Sequence, residues 1–201
     1  MSPLDEDPPA EGPEEGEPAS RGPLARLRAV WANPAYRFVI LFLPLLGGVS
    51  VAYTQLVKHS SPVIQWFIRA TAVLEYHLLD LFSSEVEIKG KMIWFGDFAV
   101  RIIDECTGIY EMLIFAAAVL AFPTSWRDKG LGILMGCPLI YVFNVIRIAM
   151  LIVVGRYWPN AFEFMHIYFW QATMIVMITT VWLLWITKVV KHDETPISHS
   201  A

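Results

Sequence analysis

Charged residues are scarce in this chain, at 17% of 201 residues, whereas hydrophobic residues make up 56% and the mean hydropathy is +0.50. Such a composition excludes an ordinary soluble domain and is typical of a small membrane protein. The formal net charge of −4 is spread unevenly along the chain. Residues 1–20 hold seven acids and no base, so the remainder carries 12 of the 19 acids against all 15 bases.

Several chemical signatures are missing from the sequence. The histidines His59, His77, His192 and His199 have no metal-ligand spacing with one another or with a cysteine. The chain also lacks a glycine-rich phosphate loop, a Gly-x-Ser-x-Gly elbow and a His-Glu-x-x-His motif. We therefore expect neither a metal nor a cofactor. The sequence also shows no internal repeat.

The two ends of the chain are predicted to be tails. Residues 1–22 are rich in Pro, Gly and Glu, which predicts a disordered acidic N-terminal tail. They have neither the basic start nor the short apolar core of a cleaved signal peptide. Residues 192–201 are predicted to form a second tail, leaving 23–191 as a multi-pass membrane domain.

Four apolar segments predict membrane spans at about 36–57, 107–123, 130–154 and 168–187. Three of them reach the roughly 20 residues that cross a bilayer, and the shorter second segment is almost wholly apolar apart from Glu111. Basic residues precede the first span, separate the second from the third and follow the fourth: Arg21, Arg26, Arg28 and Arg37; Arg127 and Lys129; Lys188 and Lys191. By the positive-inside rule these places are cytoplasmic, and four spans with both termini inside satisfy all of them.

Two elements are predicted between the first and second spans. Residues 62–82 place apolar side chains at helical spacing but include charged ones, which favours an amphipathic helix lying on the outer surface. Residues 85–103 alternate apolar and polar side chains around two turns, which predicts a strand meander. The predicted fold class is an all-α integral membrane protein with four transmembrane helices, an extracytoplasmic amphipathic helix and a small β-meander.

Three chemically distinctive side chains converge at one membrane face in this topology. Cys106 stands at the outer entrance of the second span, and His166 immediately precedes the fourth. Arg147 lies about 16 residues above the inner end of the third span, roughly 24 Å along a helix, near the outer edge of a ~30 Å hydrocarbon core. Each residue taken singly has an ordinary packing or interfacial explanation, but their coincidence favours a site.

This set suits covalent chemistry. A thiol at a helix N-terminus beside a guanidinium is expected to have a lowered pKa. Asp104 and Glu105 act in the opposite direction, so the sequence does not fix the net shift. Cys106 would act as nucleophile, His166 as acid and base, and Arg147 as oxyanion stabiliser.

Two further residues are candidates for supporting roles, and one cysteine is not. Asn144, three residues before Arg147 on the same helix face, is predicted to orient it. Glu111 needs a partner one turn inside the membrane, and Arg147 is the natural one, in either a structural ion pair or a catalytic support role. Cys137 lies low in the third span, where it is predicted to pack, too far from Cys106 for a disulfide.

The segments Glu105-Cys106-Thr107-Gly108-Ile109 and Asn144-Val145-Ile146-Arg147-Ile148, followed by His166, resemble the exosortase/archaeosortase family of membrane transpeptidases. The resemblance covers roughly residues 60–188 and is nearest to short bacterial forms such as exosortase H. It implies a cysteine enzyme of the bacterial inner membrane whose active site faces the extracytoplasmic side. The family roles fall on Cys106 as nucleophile, Arg147 as transition-state stabiliser and His166 as acid and base.

The implied partners are the lipid bilayer and exported proteins that carry a C-terminal motif, a transmembrane helix and a basic tail; no nucleic acid is expected. The enzyme would cleave at the motif and transfer the new C-terminus to an acceptor that the sequence does not identify. Two other classes remain open. A non-catalytic assembly or docking factor would use the outer helix and meander as a surface, and a transporter would use Arg147, Glu111 and His166 along a pathway.

Overall fold

The computed structural model describes residues 33–190, so both predicted tails, 1–22 and 192–201, lie outside the described residues. The chain forms two units, Met1–Arg37 and Phe38–Ala201. Of the first unit, only residues 33–37 are described, at the start of the first helix.

The described chain is mostly helical, with one small sheet. Its elements are α1 (Pro34–Lys58), α2 (Pro62–Asp80), β1 (Val86–Lys89), β2 (Met92–Phe95), β3 (Phe98–Arg101), a 3₁₀ turn (Asp104–Cys106), α3 (Ile109–Ala121), α4 (Trp126–Tyr157) and α5 (Pro159–Val190). Helix α5 contains α-helical stretches Pro159–Phe164 and Trp170–Trp185 and π-helical stretches Met165–Phe169 and Ile186–Val190.

Three helices in residues 33–190, namely α1, α4 and α5, are long and apolar enough to cross a membrane. Helix α3 is apolar but has only 13 residues, about 20 Å of helix against a hydrocarbon core of ~30 Å. A mostly helical membrane protein with a small sheet is therefore confirmed, whereas four spans are not. The segment predicted as 107–123 is shortened because Gly108 turns the chain at one end and Pro123 follows the other.

Helix α2 is amphipathic, and its buried face holds Ile64 and Ile68 of the apolar pattern but only part of that pattern. Val73 and Leu74 are exposed, whereas Thr71, Ala72 and Glu75 are buried against the neighbouring elements. Since α2 carries apolar residues on more than one side, spacing alone does not decide which side packs. Small side chains at 71 and 72 allow a close approach to the rest of the fold.

The sheet is the predicted meander, with antiparallel strands in the order β1-β2-β3. Lys89 pairs with Met92 and Phe95 pairs with Phe98, so each hairpin has a two-residue loop. The first loop residue is a glycine in both hairpins, Gly90 with φ of 67° and Gly96 with φ of 57°. Glycine is favoured there because tight hairpin turns require positive φ.

Two apolar cores organise the molecule. The first joins the sheet to α2 and α4, and its buried members include Ile64, Ile68, Ile93, Phe95, Ile148 and Ile152. The second joins α3, α4 and α5 through Phe115, Val119, Ile140, Met174, Val181 and Trp185. Helix α4 takes part in both cores and is the central element of the fold.

Helix α4 has 32 residues, about 48 Å, which exceeds the hydrocarbon thickness by several turns. Its N-terminus is capped by Ser125, whose hydroxyl oxygen accepts a hydrogen bond from the Asp128 N–H at 3.2 Å. At its other end Arg156 lies 3.3 Å from the Asp97 carboxylate in the β2–β3 loop. The same helix therefore supports the sheet and crosses the apolar layer.

Gly136 sets the spacing between α4 and α3. A Cβ added there would stand 2.2 Å from the Phe115 ring, which is fully buried. Gly130 of the same helix has nothing within 4 Å of an added Cβ and is the matched position without a packing role.

We expect Gly136→Ala to destabilise the protein by roughly 1–3 kcal/mol, because the added methyl overpacks the second core. Gly130→Ala should be neutral or slightly stabilising, since alanine is the better helix former. Thermal unfolding of the purified proteins in detergent measures the difference. Equal melting temperatures for the two variants would contradict the close packing of Phe115 on α4.

Candidate active site

Cys106 ends the 3₁₀ turn that leads from the sheet into α3. The Thr107 hydroxyl donates to the Asp104 carbonyl oxygen at 2.7 Å, which closes the turn. Gly108 follows with φ of 70°, a conformation that allows the chain to change direction into α3. A Cβ at Gly108 would meet the Asn144 side chain at 3.0 Å, so the glycine also lets α4 approach the turn.

Asn144 holds the cysteine turn in place. Its side chain is fully buried, and its Nδ2 donates to the Cys106 carbonyl oxygen at 2.7 Å. The predicted role of Asn144 was to orient Arg147, yet its observed hydrogen bond is made to the backbone of the cysteine. Within residues 33–190, no hydrogen bond joins Asn144 to Arg147.

Arg147 lies one helical turn beyond Asn144 and reaches the same turn of chain. It is buried, and its Nη2 donates to the Glu105 carbonyl oxygen at 3.4 Å. The guanidinium is close enough to Cys106 for its charge to act on the thiol. The structure therefore brings Cys106, Asn144 and Arg147 together, as the sequence pattern suggests.

His166 stands apart from this group. It lies in the π-helical stretch of α5, is exposed, and stacks on Phe162 with ring centroids 5.7 Å apart and planes 7° apart. No hydrogen bond connects His166 to Cys106 or Arg147 in the described part of the chain. Its assignment as acid and base remains a prediction.

Glu111 lies half-buried in the first turn of α3. The predicted pairing of Glu111 with Arg147 does not appear among the ion pairs of residues 33–190. The neighbourhood of Glu111 instead contains Tyr53 and Tyr110, whose ring centroids are 5.4 Å apart.

Arg147 instead acts electrostatically on Glu75 of α2, a residue that the sequence pattern does not single out. Glu75 is fully buried, and neither carboxylate oxygen has a hydrogen-bond partner. Its position could have been found from spacing, since residue 75 continues the helical series of Ile64, Ile68, Ala72 and Leu79 that forms the buried face.

A cavity of about 440 Å³ opens beside the cysteine turn, between α1, α2 and the sheet. Asp104 and Ile103 form part of its wall, and Lys91, Arg101 and Gln65 supply polar groups on the opposite sides. No group of three or more His, Cys, Asp or Glu side chains able to hold a metal ion is found in the described residues.

The family model described as transmembrane exosortase matches residues 25–186, which is most of the chain. The chain belongs to the transmembrane exosortase family. No curated protein and no solved structure matches the sequence. Membership of the exosortase family suggests a membrane transpeptidase-type function carried out by a cysteine enzyme.

Burial has the largest effect on the pKa of the Cys106 thiol in this exosortase. It raises the pKa of Cys106 above the ordinary value of 9.0, and the negative charges of Glu105 and Asp104 act in the same direction. A backbone hydrogen bond at Ile103 and the charge of Arg147 lower the pKa, but they do not offset burial. The net direction, which the sequence alone leaves open, is therefore upward, because desolvation of the thiolate is the larger effect.

We expect Cys106 of the exosortase to be alkylated slowly at pH 7 and increasingly fast as the pH rises past 9, because only the thiolate reacts. Arg147→Met should move the midpoint to higher pH, since the variant loses a charge that stabilises the thiolate. Iodoacetamide labelling in a Cys137→Ser background measures both effects.

Arg156→Met is the matched control, because Arg156 lies at the sheet and pairs with Asp97. It should leave the midpoint unchanged. A midpoint that is insensitive to Arg147→Met would show that the guanidinium does not act on the thiol.

Proposed function

We propose that the protein is a membrane cysteine transpeptidase that cleaves C-terminal sorting signals of exported proteins and transfers the new C-terminus to an acceptor. The proposal is carried by one arrangement, in which Asn144 and Arg147 of α4 bind consecutive carbonyls of the Glu105–Cys106 turn. This arrangement supplies a fixed thiol with a buried cation beside it, in a chain of the exosortase family.

The first half of the reaction forms an acyl-enzyme. Cys106 gives its thiol proton to His166 and the resulting thiolate attacks the carbonyl carbon of the scissile peptide, whose oxyanion is stabilised by N–H groups of Arg147. The carbon–nitrogen bond then breaks, the leaving amine takes up a proton, and a thioester to Cys106 remains. We assign the proton delivery to His166, which has to approach the cysteine when substrate binds because it stands apart in the unliganded structure.

The second half resolves the thioester. An acceptor nucleophile attacks its carbonyl carbon, loses a proton to His166, and displaces the Cys106 thiolate, which is thereby regenerated. Burial of the site limits competing attack by water and favours the acceptor. The cavity beside Asp104 is the proposed binding place for the motif that precedes the scissile bond.

The substrates would be exported proteins that end in a short motif, a transmembrane helix and a basic tail. Such a tail inserts in the bilayer beside the enzyme and presents its motif at the height of Cys106. With the Arg127 loop on the cytoplasmic side, the cysteine faces the extracytoplasmic side of a bacterial inner membrane, where exported proteins arrive.

A tail-bearing substrate incubated with hydroxylamine should yield a C-terminal hydroxamate with the wild-type protein and none with Cys106→Ala, because hydroxylamine replaces the natural acceptor at the thioester. Mass spectrometry of the released product measures this outcome. Arg147→Lys should also be inactive, since an ammonium keeps the charge but loses the forked geometry.

The matched controls for this assay are Cys137→Ser and Arg156→Lys, which should retain activity. A free carboxylate as the product under all acceptor conditions would indicate a protease. Stable binding of the tail without cleavage would indicate a docking factor, and full activity of Cys106→Ala would exclude covalent catalysis by this thiol.

The orientation is tested separately. In intact spheroplasts carrying the Cys137→Ser variant, a membrane-impermeant maleimide at alkaline pH should label Cys106, because the proposed topology places it outside. A cysteine introduced in place of Lys129 should be labelled only after the membrane is disrupted. The reverse pattern would show that the active site faces the cytoplasm.

A further inference from the structure

Glu75 is the buried acid that the reaction outlined above does not use. It lies on the face of α2 that packs on the first core, next to Ala72 and Leu79, with no solvent exposure. Both of its carboxylate oxygens lack a hydrogen-bond partner. An unpaired carboxylate in such surroundings is costly, so a buried acid at this position needs a compensating partner.

Arg147 is the complementary group on the facing helix. It is 7% exposed, and its Nε–H has no hydrogen-bond partner. Its one described hydrogen bond, to the Glu105 carbonyl oxygen, is long at 3.4 Å. The carboxyl oxygens of Glu75 and the Nε–H of Arg147 are therefore both unpaired in the same buried region. No ion pair within 4.0 Å joins the two side chains among the described residues.

Other charged groups around Glu75 point elsewhere. Arg69, His77 and Asp80 of α2 are exposed. Glu85, Glu87 and Lys89 of the sheet region are exposed as well. The cysteine turn contributes Asp104, Glu105 and the Cys106 thiol, and the guanidinium also acts on this thiol. Arg147 is the charge that acts on Glu75.

We propose that Glu75 is a positioning residue for the cysteine chemistry, whose carboxylate binds the Nε–H of Arg147 and holds the guanidinium against the Glu105–Cys106 peptide. Its catalytic part rests on the proposed transpeptidase function. The coupling of Glu75 and Arg147 is argued from the burial of both groups and from their unpaired polar atoms, and it does not depend on the catalytic part.

Titration makes this coupling measurable. Burial raises the pKa of Glu75 to about 8, although the charge of Arg147 lowers it. Glu75 is therefore mostly neutral at pH 7 and becomes ionised as the pH rises through about 8. Once ionised it neutralises Arg147 and opposes formation of the Cys106 thiolate, because the positive charge that stabilises the thiolate is then shared.

The test is the pH dependence of Cys106 alkylation in the full-length Cys137→Ser protein in lipid nanodiscs. Glu75→Gln should move the midpoint to lower pH by at least about half a unit, because glutamine has the shape of the neutral acid but leaves Arg147 uncompensated at high pH. In an Arg147→Met background the same substitution should have no effect. Glu87→Gln, an exposed carboxylate of β1, is the matched control and should have no effect either.

Two outcomes would overturn the proposal. One is an unchanged midpoint in Glu75→Gln, provided that the variant elutes as a monodisperse species in size-exclusion chromatography. The other is a shift of the same size with and without Arg147, which would show that Glu75 acts on the thiol without the guanidinium. If Glu75→Gln does not fold, Glu75→Asp holds the charge farther from Arg147, so it should give a midpoint below that of wild type if the pair is real, and the wild-type midpoint if it is not.

Catalysis supplies an independent readout. Glu75→Leu, which removes the acceptor for the Arg147 Nε–H, should lower kcat roughly tenfold with little change in KM, the scale of one lost charge-assisted hydrogen bond. Glu75→Gln keeps an amide oxygen as acceptor and should recover most of the loss. An unchanged kcat in Glu75→Leu would overturn the catalytic part. If the wild-type protein cleaves no tail-bearing substrate, the proposed function fails, while the alkylation measurement still decides the coupling.

Discussion

The hydrogen bond from Asn144 to the Cys106 carbonyl oxygen is the constraint on which the candidate site depends. The cysteine is not part of a regular helix, so its backbone position has to be imposed by contacts from elsewhere in the fold. Helix α4 supplies these contacts with two donors three residues apart, Asn144 and Arg147, which bind the carbonyls of Cys106 and Glu105. Gly108 makes the first of them possible, because any side chain there would push the turn away from α4.

The electrostatics of the site follow from its burial, which is complete for Glu75 and partial for Cys106. A thiol, a guanidinium and a carboxyl group lie in this region, and burial disfavours the charged form of both Cys106 and Glu75. Arg147 is the one member of the set that keeps its charge under all ordinary conditions. At neutral pH the site therefore holds a neutral thiol beside a cation that stays charged.

Much of this arrangement could be predicted from the sequence, for identifiable reasons. Cys106 and Arg147 are conspicuous because polar groups are rare in long apolar runs, and the meander is clear from its alternation and its two glycine turns. The number of spans could not be obtained in this way, since apolar composition does not show where α3 ends. Its ends are set by Gly108 and Pro123, and only the folded backbone shows that 13 residues remain between them.

Two features of the site could not be predicted from the sequence, for different reasons. The partner of Asn144 is a backbone carbonyl, and sequence patterns carry no information about which carbonyl lies within reach. Glu75 cannot be picked out easily because its segment carries several exposed charges. The sequence therefore does not show that Glu75 lies on the buried face of α2. The acid and base role of His166 stays a prediction, because no hydrogen bond joins His166 to Cys106 or Arg147 within residues 33–190.

The length of α4 has a geometric consequence for substrate choice. A single rigid rod of about 48 Å runs from the Ser125 cap to the sheet and carries Asn144 and Arg147 at a set distance from its start. Under the proposed topology, the number of residues in this one helix sets the height of the thiol relative to the cytoplasmic end of the helix. If the protein acts on membrane-anchored tails as proposed, that height determines how far from its own membrane segment a substrate chain can be cut.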